Sequence, residues 1–225
     1  MKKIVFDDVS KIYGDDESSA IVALDGASLE IEQGEFIGII GPSGSGKSTF
    51  LSLAGALIKP TKGKVLINGK DISTLPEKEL TKVRLNEIGF ILQTSNLIPY
   101  LNAVDQLILV KDMKGKISIE DREKAIGLLK DFGLGARLNH YPNSLSGGER
   151  QRIAVARAFM NDPEIILADE PTASLDTKRG YELMDLLAKQ AKQHNKAVIL
   201  VTHDERMLSH CQRIIVMTDG KLIER

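Results

Sequence analysis

Three short stretches of the chain hold residues whose types and spacing suit chemistry on phosphate groups. The first is Gly41-Pro42-Ser43-Gly44-Ser45-Gly46-Lys47-Ser48, which fits G-x-x-x-x-G-K-[ST]. Its glycines let backbone N–H groups curl around β- and γ-phosphates, Lys47 sets a cation on them, and the Ser48 hydroxyl is placed for Mg²⁺. The second is Ile165-Ile166-Leu167-Ala168-Asp169-Glu170. An apolar strand ending in two acids puts Asp169 beside that Mg²⁺ and Glu170 just beyond it, where a carboxylate can orient or deprotonate a water. The third is Leu145-Ser146-Gly147-Gly148-Glu149. It offers a hydroxyl and exposed backbone N–H groups, and the helix expected over 150–160 would set those donors at its positive end, a second anion site.

Something must hold these stretches in place, and the sequence supplies it. Phe36-Ile37-Gly38-Ile39-Ile40 reads as a buried strand and 49–57 as the helix that follows the glycine-rich loop. Further apolar runs at 165–168, 197–201 and 214–217 read as strands with both faces covered, as in a parallel sheet flanked by helices. The stretch 177–193 is amphipathic, with Leu183, Leu187 and Ala191 on one face. Residues 1 to about 35, with 64–72, read as short strands and turns. Residues 94–145 read as mainly helical.

Taken together these residues resemble the ATP-binding cassette ATPases, over nearly the whole chain. The resemblance implies an α/β fold: a P-loop NTPase (RecA-like) core, an antiparallel β subdomain at about 1–35 and 64–72, and an inserted helical lobe at about 94–145, all in one ATPase domain of 225 residues. It implies ATP and Mg²⁺ as cofactors, with the whole loop from Gly41 to Thr49 on ATP. Tyr13 matches the aromatic that stacks on adenine. Gln93 matches the Mg²⁺-sensing glutamine, making Ser48, Gln93 and Asp169 the metal side. Glu170 matches the catalytic base, and His203, in Val201-Thr202-His203-Asp204, the switch residue at the γ-phosphate. Ser146, Gly147 and Gly148 match the signature that binds ATP held by the opposite subunit, and Asp176, in Ser174-Leu175-Asp176, the loop that crosses between subunits. Glu149 stands where the family often has Gln, which adds a charge near an ATP site. Two such chains are implied to sandwich two ATP molecules head to tail.

Composition narrows the setting. With 30 basic and 31 acidic residues the net charge is −1, which gives no nucleic-acid footprint. The one cysteine, Cys211, cannot form an internal disulfide and reads as a buried thiol in a reducing cytosol. The N-terminal Met1-Lys2-Lys3-Ile4-Val5-Phe6-Asp7 meets acid too soon for a signal peptide. The longest uncharged stretch, 88–104, is interrupted by Gln93, Asn96, Pro99 and Asn102 and is not a membrane span. His140, His194 and His210 have no context that assigns them a function.

The chain contains no path across a bilayer, so the resemblance implies a separate membrane permease docked between core and lobe, with 94–101 as the expected contact. The protein would then be cytoplasmic, held at the inner face of the cell membrane. The run over 88–107, with Asn139-His140-Tyr141-Pro142, looks like the group of macrolide-export, lipoprotein-release and peptide-antibiotic-resistance ATPases. The stretches 97–107 and 158–176 are similar to bacterial heme-efflux ATPases of that group. A DNA-repair ATPase would need a long coiled coil between phosphate loop and signature. A regulatory cassette that controls a membrane complex without transport carries the same motifs.

Overall fold

In a computed structural model, described over residues 1–14 and 20–225, the chain forms ten strands and six α-helices. In chain order these are β1 (Lys2–Tyr13), β2 (Ile21–Glu32), β3 (Phe36–Ile40), α1 (Lys47–Ala54), β4 (Lys62–Ile67), β5 (Lys70–Asp71), α2 (Glu77–Glu87), β6 (Ile88–Ile91), α3 (Ala103–Asp112), α4 (Ile119–Asp131), α5 (Gly147–Phe159), β7 (Ile165–Asp169), α6 (Thr177–Gln193), β8 (Ala197–Val201), β9 (Arg213–Thr218) and β10 (Lys221–Glu224). A four-stranded antiparallel sheet runs β2-β1-β4-β5, and a six-stranded sheet runs β10-β9-β3-β8-β7-β6. The latter is parallel from β9 to β6, with β10 added antiparallel at the edge.

The central strands are apolar up to Asp169 at the end of β7 because each faces two cores. In β3, Ile37 and Ile39 enter one hydrophobic cluster while Phe36 and Ile40 enter the other. In β7, Ile165 and Leu167 alternate with Ile166 and Ala168 in the same way. Pleating sends successive side chains to opposite faces, so a run without polar residues is what a sheet covered on both sides requires. The first cluster joins the sheet to α1, α2 and the antiparallel sheet, where Phe6 stacks on Phe50 at 4.4 Å. The second joins it to α3, α4, α5 and α6, and α6 buries Leu183, Leu187 and Ala191 as its sequence pattern requires.

Several boundaries differ from the sequence reading. The helix after the glycine-rich loop ends at Ala54, and Ala56 takes a left-handed φ of 54°. A side chain at Gly55 would strike the Phe90 ring at 2.4 Å, so this turn is shaped by its neighbour. Helix α5 begins at Gly147, three residues before the expected start at 150, because Ser146 caps it. The region 94–145 holds α3, α4 and two short 3-10 turns, Gly135–Arg137 and Pro142–Ser144. Helix α2 and strand β10 were not anticipated. Among the described residues no helix is long and apolar enough to cross a membrane.

Candidate functional site

The C-terminal ends of parallel strands are where open α/β sheets hold ligands, and here four of them converge. Beyond β3 comes the glycine-rich loop; β7 ends in Asp169, with Glu170 next. Beyond β8 comes His203, and beyond β6 comes Gln93. Gly41, Ser43, Gly44, Gly46, Lys47, Ser48, Thr49, Gln93, Asp169, Glu170 and His203 line one cleft of about 470 Å³. Ile21, Val22 and Ala23 of β2 close its side.

The loop is held by close backbone approach. Gly46 has φ 106°, and a methyl there would lie 2.2 Å from the Ala23 carbonyl oxygen. Only glycine fits such a position. Lys47 Nζ donates to the carbonyls of Gly41 and Pro42 at 2.7 and 2.8 Å, so the ammonium is held inside the loop it serves. Pro42 and Ser45 belong to the same loop but do not line the cleft, and Ser45 is buried.

The two acids sit in different settings. Burial, reinforced by the neighbouring Glu170 charge and opposed by Lys47, pushes the Asp169 carboxyl above the usual range. Glu170 takes a left-handed φ of 47°, a strained conformation for a side-chain-bearing residue. It is held there on several sides. Its N–H donates to the Val201 carbonyl at 2.9 Å, and its Oε1 accepts from the His203 N–H at 2.9 Å and lies 2.7 Å from His203 Nδ1. Thr202 Oγ1 donates to its Oε2 at 3.3 Å.

Residues present fit Mg²⁺. Ser48, Gln93 and Asp169 supply oxygen donors in one cleft. Among the described residues no cluster of three His, Cys, Asp or Glu could cage a metal, and Mg²⁺ in phosphate sites takes one or two protein ligands plus water and phosphate oxygens.

Some candidates lie elsewhere. Tyr13 is not in the cleft lining, but pairs with Ile21, which is. Lys11 Nζ lies 5.2 Å above its ring. Ser146, Gly147, Gly148 and Asp176 do not line the cleft either. They form a second group: the Cα of Gly148 faces Arg179 and Leu175, and Asp176 caps α6 by accepting from the Arg179 N–H at 3.0 Å. Ser146 Oγ accepts from the Glu149 N–H at 3.2 Å while Glu149 Oε2 accepts from the Ser146 N–H at 2.8 Å, a reciprocal capping box. The Arg137 guanidinium beside it, then the Ser146 N–H, hold the Glu149 carboxyl down at about 2.

Within one chain, then, a phosphate loop follows β3, an acid pair ends β7 two strands away in the same sheet, and a capped Ser-Gly-Gly start opens the helix α5 that packs on that sheet. Residues 24–173, two thirds of the chain, match the ABC transporter family. The chain belongs to that family. A Staphylococcus aureus protein that carries the name hemin import ATP-binding protein HrtA is 44% identical over 221 residues, 98% of this chain and 99% of that one. The dimeric, post-hydrolysis structure of the ATP-binding cassette MJ0796 bound to ADP and Pi superposes with a TM-score of 0.89 at 44% identity, covering 99% of this chain and 97% of that one. Clostridium perfringens cbiO1, described as part of the ABC transporter complex cbiONQ, gives 0.88 at 26% identity, covering 99% and 87%. The protein is therefore the ATP-binding subunit of an ABC transporter, an ATPase that works on ATP with Mg²⁺.

Sequence reading missed the residues that tie this ABC cleft to its helices. Buried Gln151 of α5 donates to the Leu92 carbonyl at 2.9 Å, and Arg157 donates to the carbonyls of Ser95 and Asn96 at 2.9 and 3.1 Å. Buried Gln106 of α3 holds Ile98 and Leu101. The available signal was a polar residue amid an apolar face: Gln106 lies between Val104 and Leu107.

Proposed function

We propose that two copies of this ABC subunit join head to tail over ATP and thereby drive a separately encoded membrane permease that exports a hydrophobic compound, heme or a peptide antibiotic. The observation that carries the proposal is that the glycine-rich loop and the Ser-Gly-Gly helix start, both suited to anions, lie apart in one chain. Lys47 with Gly41, Ser43, Gly44, Gly46, Ser48 and Thr49 lines the cleft, and Pro42 and Ser45 complete the loop behind it; Ser146, Gly147, Gly148 and Asp176 stand outside it. A second copy can bring its Ser-Gly-Gly start to the open side of the cleft, and dimeric MJ0796 with ADP and Pi supports that reading.

The residues divide the work. Tyr13 stacks on adenine beyond Ile21. Backbone N–H groups of the loop and Lys47 bind the phosphates. Ser48, Gln93 and Asp169 would hold Mg²⁺, which would supply positive charge to the phosphate oxygens. Glu170 orients the attacking water and takes its proton. His203 shares Oε1 of Glu170 and reaches towards the γ-phosphate. Ser146 Oγ uses a lone pair for its cap, so its O–H proton is free to donate to the partner's nucleotide.

In this reading the permease contact is 94–101, together with the apolar cleft beside it. Residues 94–101 are held by Gln106 and Arg157. The adjoining apolar cleft of about 600 Å³, lined by Leu57, Leu85, Phe90, Leu92, Val110 and Met113, suits an apolar permease segment. Leu92 in this cleft and Gln93 in the ATP cleft are consecutive, so a permease movement at one is felt at the other. Attachment there places the chain at the cytoplasmic face of the membrane. Heme is favoured by the HrtA likeness; that name speaks of import, whereas the run over 88–107 favours export.

Turnover should rise faster than linearly with protein at low concentration. A rate strictly proportional to protein from nanomolar upward, with a monomer by light scattering in ATP, overturns the dimer. Inside-out vesicles holding the subunit and its permease should accumulate hemin with ATP; ATP-driven loss of preloaded hemin reverses the direction, and no movement removes heme as substrate.

A further inference from the structure

The signature end of α5 carries a carboxylate aimed at the same backbone that must meet a phosphate. Glu149 Oε2 accepts from the Ser146 N–H at 2.8 Å, at the residue proposed to touch the partner's γ-phosphate. Its other oxygen, Oε1, accepts from Arg137 Nε at 2.7 Å. Arg137 ends the 3-10 turn Gly135–Arg137, so this cation comes from the chain between α4 and the signature and not from α5 itself. We infer that Arg137 is a positioning residue for the trans ATP contact, neutralising Glu149 so that Ser146 can approach an anionic phosphate.

The inference rests on the head-to-tail reading above. Glu149 serves as a good cap because it is ionised: a negative group in the first turn favours the helix and accepts the orphan Ser146 N–H. The same charge opposes a phosphate arriving at that helix start, and closure of the sandwich removes the water that would screen it. Its partner settles the conflict. With Arg137 in place the carboxylate keeps its cap and loses its field. Arg137 is partly exposed and Glu149 largely covered, which lets the pair stay made in the monomer. The turn that carries Arg137 is itself fastened to the lobe: the His140 N–H donates to the Arg137 carbonyl at 2.9 Å, and the Ala103 N–H at the start of α3 donates to the His140 carbonyl at 3.0 Å. The neutralising cation is therefore placed by α3 and its flanks, the region that also holds 94–101.

The test uses the full chain in a Glu170→Gln background, where ATP-bound dimer should accumulate. Four proteins are compared by size-exclusion chromatography over an ATP series with Mg²⁺: the background alone, with Arg137→Met, with Glu149→Gln, and with both. Arg137→Met should raise the ATP needed for half-dimerisation about tenfold, and by less than about threefold once Glu149→Gln removes the charge. Arg137→Lys should stay near the background protein. An equal rise in both backgrounds marks a merely structural arginine and overturns the inference, as does no rise. If the background protein dimerises normally, such a failure touches Arg137 alone; if it never dimerises in ATP, the head-to-tail reading falls and takes this inference with it. ADP affinity by calorimetry checks folding, and should Arg137→Met lose it, Arg137→Gln carries the same comparison.

Discussion

The phosphate-loop cleft and the signature end of α5, both proposed to bind phosphate, are built by different means. The cleft is made by backbone: four strand ends converge, and Gly46 lies against the Ala23 carbonyl so closely that no side chain fits. Lys47 and Glu170 are pinned by carbonyls and N–H groups of the same core. The signature end is made by side chains: Ser146, Glu149 and Arg137 hold one another in series, and Gly148 rests near Leu175 and Arg179. A cleft set by a buried sheet is costly to deform. The helix start is set by a few surface side chains, whereas the body of α5 is buried against the sheet and also reaches the Gln93 loop through Gln151 and Arg157. The proposed chemistry thus rests on a backbone-built cleft, and the proposed completion of the site on a helix start built by side chains.

The largest expected effect separates chemistry from assembly. Glu170→Gln keeps an oxygen for the His203 N–H, so the left-handed turn at 170 should survive. It loses the proton acceptor, and general base catalysis contributes roughly 10²–10⁴-fold, so turnover should fall by about that factor. Removing the negative charge also eases repulsion from the γ-phosphate, and an ATP-bound dimer should accumulate in size-exclusion chromatography. Near-normal turnover would reject Glu170 as base; low turnover without a dimer would keep the base and break the contrast between the two regions.

Lys47→Ala comes next and acts within the cleft alone. A hydrogen bond to a charged group contributes roughly 1.5–3 kcal/mol, so ATP affinity should fall about ten- to a hundredfold. The signature end of the same variant should keep its structure, read by an unchanged helix content in circular dichroism. Unchanged affinity by calorimetry would remove Lys47 from the phosphates.

The two regions also differ in how legible they were. The cleft could be read because phosphate chemistry demands particular residues at fixed spacing, and because β3, β7 and β8 are continuous apolar runs that only a doubly covered sheet explains. The start of α5 was misplaced because two glycines disfavour a helix interior, while the cue that overrides them is Ser146 with Glu149 three residues on. Helix α2 was missed because it buries only Leu80 and Val83 and lacks an apolar stripe. The pairing of Arg137 with Glu149, and of Gln151 and Arg157 with the Gln93 loop, could not be read at all. Such contacts join elements distant in sequence, and periodicity carries no trace of them. Glu149 was expected to add a charge near an ATP site; the structure pairs that charge with Arg137.

The smallest expected effect gives the sharpest comparison, because the chain contains the same device twice. Helix α4 starts with Ser118 and Asp121 in a reciprocal capping box, and α5 with Ser146 and Glu149 in another. Both helices have 13 residues, and both serines are N-caps accepting from the N3 amide at 3.2 Å. Replacing an N-cap serine by alanine costs about 1 kcal/mol. Ser118→Ala and Ser146→Ala should therefore lower stability by similar amounts in denaturant unfolding, with a melting shift of about 2–4 °C each for a chain of this size. Their effects on ATP-dependent dimerisation in the Glu170→Gln background should part. Ser118 lies outside the cleft and the signature, and its loss should leave half-dimerisation where it was; Ser146 should need several-fold more ATP if its hydroxyl proton is, as proposed, the group offered to the partner's phosphate. Equal ATP dependence in the two variants would reduce Ser146 to a helix cap and leave the Ser-Gly-Gly backbone alone as the trans site.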